Sequence, residues 1–113
     1  MASVRALGSA IYHVHAKDTR VEPVPAGIDG LFETRPFARA AERSWNYVTL
    51  GYGHSESWWR QFCAALRMVG YDDVLSIEHE DAIMAPLEGV RRSVDLLRRV
   101  AFLEKGEGVP ISV

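Results

Sequence analysis

The sequence lacks the features that mark several protein classes. It has one cysteine, Cys63, so no internal disulfide can form and nothing indicates an oxidising compartment. No apolar run approaches the ~18 residues that span a bilayer, and we do not expect residues 1–10 to act as a signal peptide. With 13 Lys+Arg against 15 Asp+Glu, the charge forms no basic stripe for nucleic acid or anionic lipid. We therefore expect a cytoplasmic protein whose partners include neither nucleic acid nor a membrane.

The residues that are present describe an ordinary globular chain of 113 residues, 48% hydrophobic and 25% charged. Residues 10–15 are rich in β-branched and aromatic side chains and predict a buried strand. The stretch 17–53 is polar and interrupted by proline and glycine, which predicts a long loop with a helical turn near 37–43. Such a long connection in a compact domain is typically functional or disordered.

The second half of the chain predicts three regular elements. A helix begins at Ser55 or Ser57 and ends at Gly70, a strand covers 73–78, and a second helix runs from Pro86 to Gly106. The last helix carries an apolar stripe made by Leu87, Val90, Val94, Leu97 and Ala101. The order strand, loop, helix, strand, helix predicts an α/β fold with two parallel strands and a right-handed crossover.

Both predicted strands end in side chains that bind metals or move protons. Sites in parallel α/β folds gather at the carboxyl ends of strands, and alternation places His15 and Glu78 on the same face. These two side chains can share one divalent ion, although a complete site needs four to six ligands. His13 reads more simply as structural, and Glu80 and Asp81 as a solvated turn. The Trp58, Trp59 and Phe62 side chains are interpreted as helix-packing residues.

Three segments, 11–19, 51–54 and 70–81, together resemble the sugar phosphate isomerase/epimerase family of the xylose isomerase-like TIM barrel superfamily. The resemblance implies that residues 1–106 are the last two β/α units of a (β/α)8 barrel: strand seven, its long loop, helix seven, strand eight and helix eight. Residues 107–113 are then a loose tail. A whole barrel needs about 250 residues, so the chain corresponds to its closing part.

The same resemblance implies a site and a chemistry. A divalent metal, Mn, Mg, Co or Zn, is expected, and a small carbohydrate or polyol would react by proton transfer through an enediolate. The implied metal ligands are His15 and Glu78, with Glu78 also catalytic, and the implied substrate-binding residues are Lys17, Asp18 and His54. The family's other ligands, a Glu and an Asp on strands five and six, have no counterpart here, which leaves enzymatic activity of the chain itself undecided.

Three functions therefore stay open. The first is the C-terminal part of a metal-dependent sugar isomerase/epimerase that is inactive alone. The second is a non-catalytic remnant or oligomerising module with the same packing. The third is a metal-dependent hydrolase resembling apurinic endonucleases, which Lys17 and the missing Asp-x-His pair in 17–53 make less favourable. In each case we expect self-association or a complementary barrel half, because two strands cannot close a barrel.

Overall fold

A computed structural model describes residues 1–104 of the chain, and the predicted tail 107–113 lies outside them. The last helix was predicted to run to Gly106, but it ends at Val100, because the backbone of Ala101 is extended. Four α-helices, two 3-10 helices and four short strands are found among residues 1–104. The α-helices are α1 (Ala2–Leu7), α2 (Pro23–Asp29), α3 (Glu56–Met68) and α4 (Pro86–Val100). The strands are β1 (Val14–Ala16), β2 (Asp18–Val21), β3 (Trp45–Val48) and β4 (Leu75–Ile77), and the 3-10 helices cover Gly8–Ala10 and Phe37–Glu42.

Two small sheets organise the described residues. In the first, β1 and β4 are parallel, with Val14 opposite Leu75 and Ala16 opposite Ile77. The predicted parallel pair is therefore present, but both strands are shorter than predicted, and Tyr12 is 84% exposed because β1 begins only at Val14. In the second sheet, β2 and β3 are antiparallel. Two parallel strands are compatible with part of a barrel, which stays a prediction.

The predicted long loop 17–53 is wrong in its middle, because it contains two strands and a helix. The helix α2 begins with Pro23, whose fixed φ and missing N–H suit a first helical position, and is followed by Gly30 at φ 74°. The strands β2 and β3 pair through their own backbones, so their many polar side chains hid them from hydropathy patterns. The predicted turn near 37–43 is confirmed as the 3-10 helix Phe37–Glu42.

The hydrophobic core lies between β1, β4 and the two long helices. The prediction for α3 is confirmed: Ser55 is its N-cap and accepts a hydrogen bond from the Trp58 N–H. The stripe predicted for α4 is correct at Leu97, which is buried, but wrong at its start, since Leu87 is 71% exposed. The buried residues of α4 are Gly89, Ser93, Leu96, Leu97 and Val100. The small residues at 89 and 93 let α4 approach its neighbours closely, which an apolar pattern does not detect.

The described part of the chain is elongated for its size. Its Cα radius of gyration is 16.1 Å, whereas a compact domain of this length has about 13 Å. Between residues 1 and 104, no helix combines the length and apolar character that crossing a bilayer requires.

Candidate functional site

The parallel pair β1–β4 has one covered face and one open face. Val14 and Ala16 are buried on the covered face, where Leu75 and Ile77 pack against the core. Because successive side chains of a strand point to opposite faces, His15 and its partner Ser76 lie on the open face, as the sequence predicted for His15.

Two predicted ligands meet on the open face. The His15 Nδ1 atom lies 3.5 Å from the Glu78 Oε2 atom, and each side chain is about half exposed. Two ligands bound at about 2.1 Å to one tetrahedral ion are ~3.4 Å apart, so this spacing fits a shared ion. His13 supports the pair from below, because its Nε2 atom is 2.9 Å from the Ser76 Oγ atom and its ring packs edge-on against His15.

The ligand set is only partly supplied by this face. Across residues 1–104, no group of three or more His, Cys, Asp or Glu side chains is arranged to hold a metal ion. His15 and Glu78 thus fit two positions of a divalent coordination shell, and further donors would have to be added by water, substrate or other protein residues.

Lys17 lies beside this pair and is tied to it by charge. Its ammonium group donates to Glu80 Oε1 at 2.8 Å and lies 3.9 Å from Glu78 Oε2. It also sits 4.0 Å from the centre of the Tyr47 ring, a cation–π distance. The hydrogen bond to Glu80 raises the pKa of Lys17 above its ordinary value of 10.5. Glu80, which the sequence suggested to be a solvated turn residue, is therefore the partner of Lys17.

The Asp18 side chain points away from the open face and into the protein. The residue is 1% exposed, and its carboxylate accepts hydrogen bonds from six N–H groups. The donors are the backbone N–H groups of Thr19, Gly51, Gly53 and His54, the His54 ring and the Trp59 indole. Burial acts to raise the pKa of Asp18, but the hydrogen bonds outweigh it and lower the pKa below 3.8. Asp18 thus holds the 51–54 segment onto β2.

His54 is held beside Asp18. Its Nδ1 atom is 2.6 Å from Asp18 Oδ1, and its ring centre is 4.3 Å from that of Trp58. The side chain is 44% exposed. The structure therefore brings His15, Glu78 and Lys17 together on one face and joins Asp18 to His54 as a separate pair.

Asp81 joins the end of β4 to the end of β3, a role that the sequence reading missed. Its Oδ2 atom accepts from the N–H and the hydroxyl of Thr49, both at 2.9 Å, and its Oδ1 atom accepts from the Ile83 and Met84 N–H groups. The latter bonds form an Asx-type turn, and an Asp two residues before a chain reversal is the signal that could have revealed it. The prediction of a solvated turn is wrong for Asp81. Trp59 also has a role beyond helix packing, since its indole N–H reaches Asp18.

Comparison with known proteins identifies a bacterial protein that is similar to most of this chain. No protein-family model matches the chain. Over 97 residues, 86% of this chain, the sequence is 43% identical to the uncharacterized protein YfiH of Bacillus subtilis (strain 168). The matched segment is 31% of that protein, so the chain spans about a third of the length of the curated relative that it matches.

Proposed function

We propose that this chain forms two β/α units of a divalent-metal-dependent sugar or sugar-phosphate isomerase/epimerase barrel, with His15 and Glu78 as two of the metal ligands. The observation that carries the proposal is the 3.5 Å spacing of His15 Nδ1 and Glu78 Oε2 at the carboxyl ends of two paired parallel strands. That is where catalytic groups lie in parallel α/β barrels.

The residues on the open face suit proton transfer next to a polarised oxygen. A bound divalent ion would supply Lewis-acid polarisation of neighbouring sugar oxygens. Glu78 directs Oε2 toward His15 and Lys17, so its other oxygen is available to take a proton from a carbon and return it. The Lys17 ammonium group would bind a substrate oxygen if its contact with Glu80 or Glu78 loosens when the substrate binds.

The length of the relative agrees with a barrel. YfiH is roughly three times as long as the segment matched, which falls within the ~200 to 400 residues of (β/α)8 barrels. The activity of a whole barrel, its sugar and its metal are part of this proposal.

Mn²⁺ binding to the full chain tests the site. We expect paramagnetic broadening of NMR signals to centre on His15 and Glu78. The variants His15→Ala and Glu78→Gln should each weaken binding by at least ~10-fold, since even outer-shell partners of a metal are worth that much. The exposed Asp72, at the opposite end of β4, offers a matched control in Asp72→Asn, which should bind as the wild type does. Mn²⁺ broadening that is the same in His15→Ala and Glu78→Gln as in the wild type would reject the proposal.

The second candidate is an association module. Within residues 1–104, β1 pairs only with β4, so each strand has an edge without a neighbouring strand. Exposed parallel edges and an open face favour further pairing, either with a second copy or with a complementary barrel part. Sedimentation velocity of the wild-type chain separates the two candidates: concentration-dependent association without Mn²⁺ binding at His15 favours the module.

A further inference from the structure

The Asp18–His54 pair contains a candidate proton acceptor that is not part of the proposed metal site. Asp18 accepts five N–H groups besides the His54 ring, so its buried carboxyl is held as the anion and has no proton to give. The short contact to His54 therefore requires His54 Nδ1 to carry the proton and donate it, at 2.6 Å. In that tautomer the other ring nitrogen, Nε2, has its lone pair free to accept.

The ring of His54 is fixed in orientation as well as in tautomer. Asp18 holds one edge, and the Trp58 ring, 4.3 Å away, packs against its face. Among the described residues, the only hydrogen-bonded contacts of His54 are to Asp18, and these use its ring Nδ1 and its backbone N–H. The side chain is 44% exposed, and Nε2 is the ring nitrogen that has no hydrogen-bond partner among the described residues.

The chain connects the pair to the strand that carries His15. Asp18 follows β1 by two residues, and the 51–54 segment follows β3, which pairs with β2. Gly53 is necessary for this approach, because a Cβ at this position would lie 2.7 Å from Asp18 Oδ1 and would also strike the Thr19 carbonyl oxygen.

We propose that His54 and Asp18 form a proton-transfer dyad in which His54 Nε2 takes a proton from a hydroxyl group of the sugar or polyol and Asp18 is the positioning residue. The substrate class rests on the proposed function. In the step, the hydroxyl O–H bond breaks with its electron pair left on the oxygen as an alkoxide, and the Nε2 lone pair forms the new N–H bond. The imidazolium is stabilised by the Asp18 anion and later returns the proton to a product oxygen.

The first experiment reads the tautomer and the reactivity of the ring in the full chain. Long-range ¹H–¹⁵N spectra should show His54 protonated at Nδ1 and not at Nε2. Diethyl pyrocarbonate, followed by peptide mass mapping at pH 8, should modify His54 faster than His79, whose Nε2 atom is buried. A His54 ring protonated at Nε2, or one modified no faster than His79, would overturn the dyad.

Two variants separate positioning from simple packing. In Asp18→Asn the amide can donate to Nδ1, so the proton should move to Nε2 and the modification rate of His54 should fall at least ~10-fold, because the reactive lone pair is then no longer on Nε2. If this variant fails to fold, Trp58→Leu serves instead. It leaves Asp18 intact and should retain the Nδ1–H tautomer while the modification rate rises as the ring face is uncovered. An unchanged rate in a folded Asp18→Asn protein, or loss of the tautomer in Trp58→Leu, contradicts the proposal.

A substrate arm uses sorbitol as a polyol probe. Titration should shift the His54 ring signals in the wild type, and the shift should be smaller in folded Asp18→Asn. Absence of any shift rejects a polyol hydroxyl as the partner of His54. These readings need no metal, whereas Mn²⁺ broadening at His15 and Glu78 needs no His54, so failure of the dyad and failure of the proposed function are distinguishable.

Discussion

At the scale of single residues, Asp18 is the strongest polar anchor of the described chain. Replacing it by Ala leaves several buried N–H groups without an acceptor, so we expect a loss of about 3 kcal/mol in the free energy of unfolding. Urea denaturation measures this loss. The control Asp72→Ala, at an exposed position, should change stability by less than ~0.5 kcal/mol.

Two carboxylates with lowered pKa values predict that the folded state loses stability in acid. Hydrogen bonds from the Ser44 and Arg35 N–H groups lower the pKa of Glu33 from 4.5 to about 2, and the pKa of Asp18 also lies below its ordinary 3.8. Because the folded protein binds these protons less readily than the unfolded chain, both groups stabilise the fold above these ordinary values. That stabilisation is lost as pH falls from about 4.5 toward 2.

Denaturation curves of wild type and Glu33→Gln at several pH values test this sign. The difference in stability between the two proteins should be largest near neutral pH and shrink on acidification. A difference that grows below pH 4.5 would show that the Glu33 carboxylate does not stabilise the folded state.

The glycine at position 53 makes a third prediction at the residue scale. Gly53→Ala forces a methyl group against Asp18 Oδ1 and the Thr19 carbonyl, so the loop must shift at a cost of about 2 kcal/mol. Gly27→Ala is the matched control, since no atom lies within 4 Å of its added Cβ and its helical position should gain about 0.5 kcal/mol. Thermal unfolding measures the stability of both variants. Equal changes in stability at the two positions would show that the loop around Gly53 is not tightly packed.

At the scale of elements, α4 fits against the end of β4 through a glycine. A Cβ at Gly89 would lie 2.8 Å from His79 Nδ1 and collide with the rest of that ring. Ala is otherwise worth about 1 kcal/mol more than Gly inside a helix. We therefore expect Gly89→Ala to destabilise the wild type but to stabilise a His79→Ala background. A double-mutant cycle by urea denaturation measures this coupling, and additive effects would exclude the contact.

The same elements show what sequence patterns could and could not predict. Ser55 as a helix cap, the helix starting at Pro86 and the polar strand ends at His15 and Glu78 all follow from local signals. The start of the buried face of α4 was misplaced because Gly89 and Ser93 are buried by close approach and not by hydropathy. The β2–β3 pair and the Asp18 anchor depend on backbone contacts between distant segments, which no local pattern contains.

At the scale of the whole molecule, α2 and the residues after it carry an exposed apolar surface, which is a second candidate surface for self-association besides the open face of the β1–β4 sheet. Val24, Ile28, Leu31 and Phe32 are exposed, and Phe32 is completely so. If the chain self-associates through this surface, Ile28→Ser with Phe32→Ser should lower the association measured by sedimentation velocity. The control Leu87→Ser removes an apolar side chain on α4 that is also largely exposed. A monomeric wild type with one sharp cooperative unfolding transition would contradict association altogether.

The pairing of β1 with β4 also has a consequence for how the chain reaches this state. Val14 and Leu75 meet across some sixty intervening positions, so the contact is highly non-local. During synthesis β1 leaves the ribosome long before its partner exists, while α3 can already form from local contacts. His15 therefore spends the early life of each molecule without Glu78, and the two side chains can meet only after β4 has been synthesised.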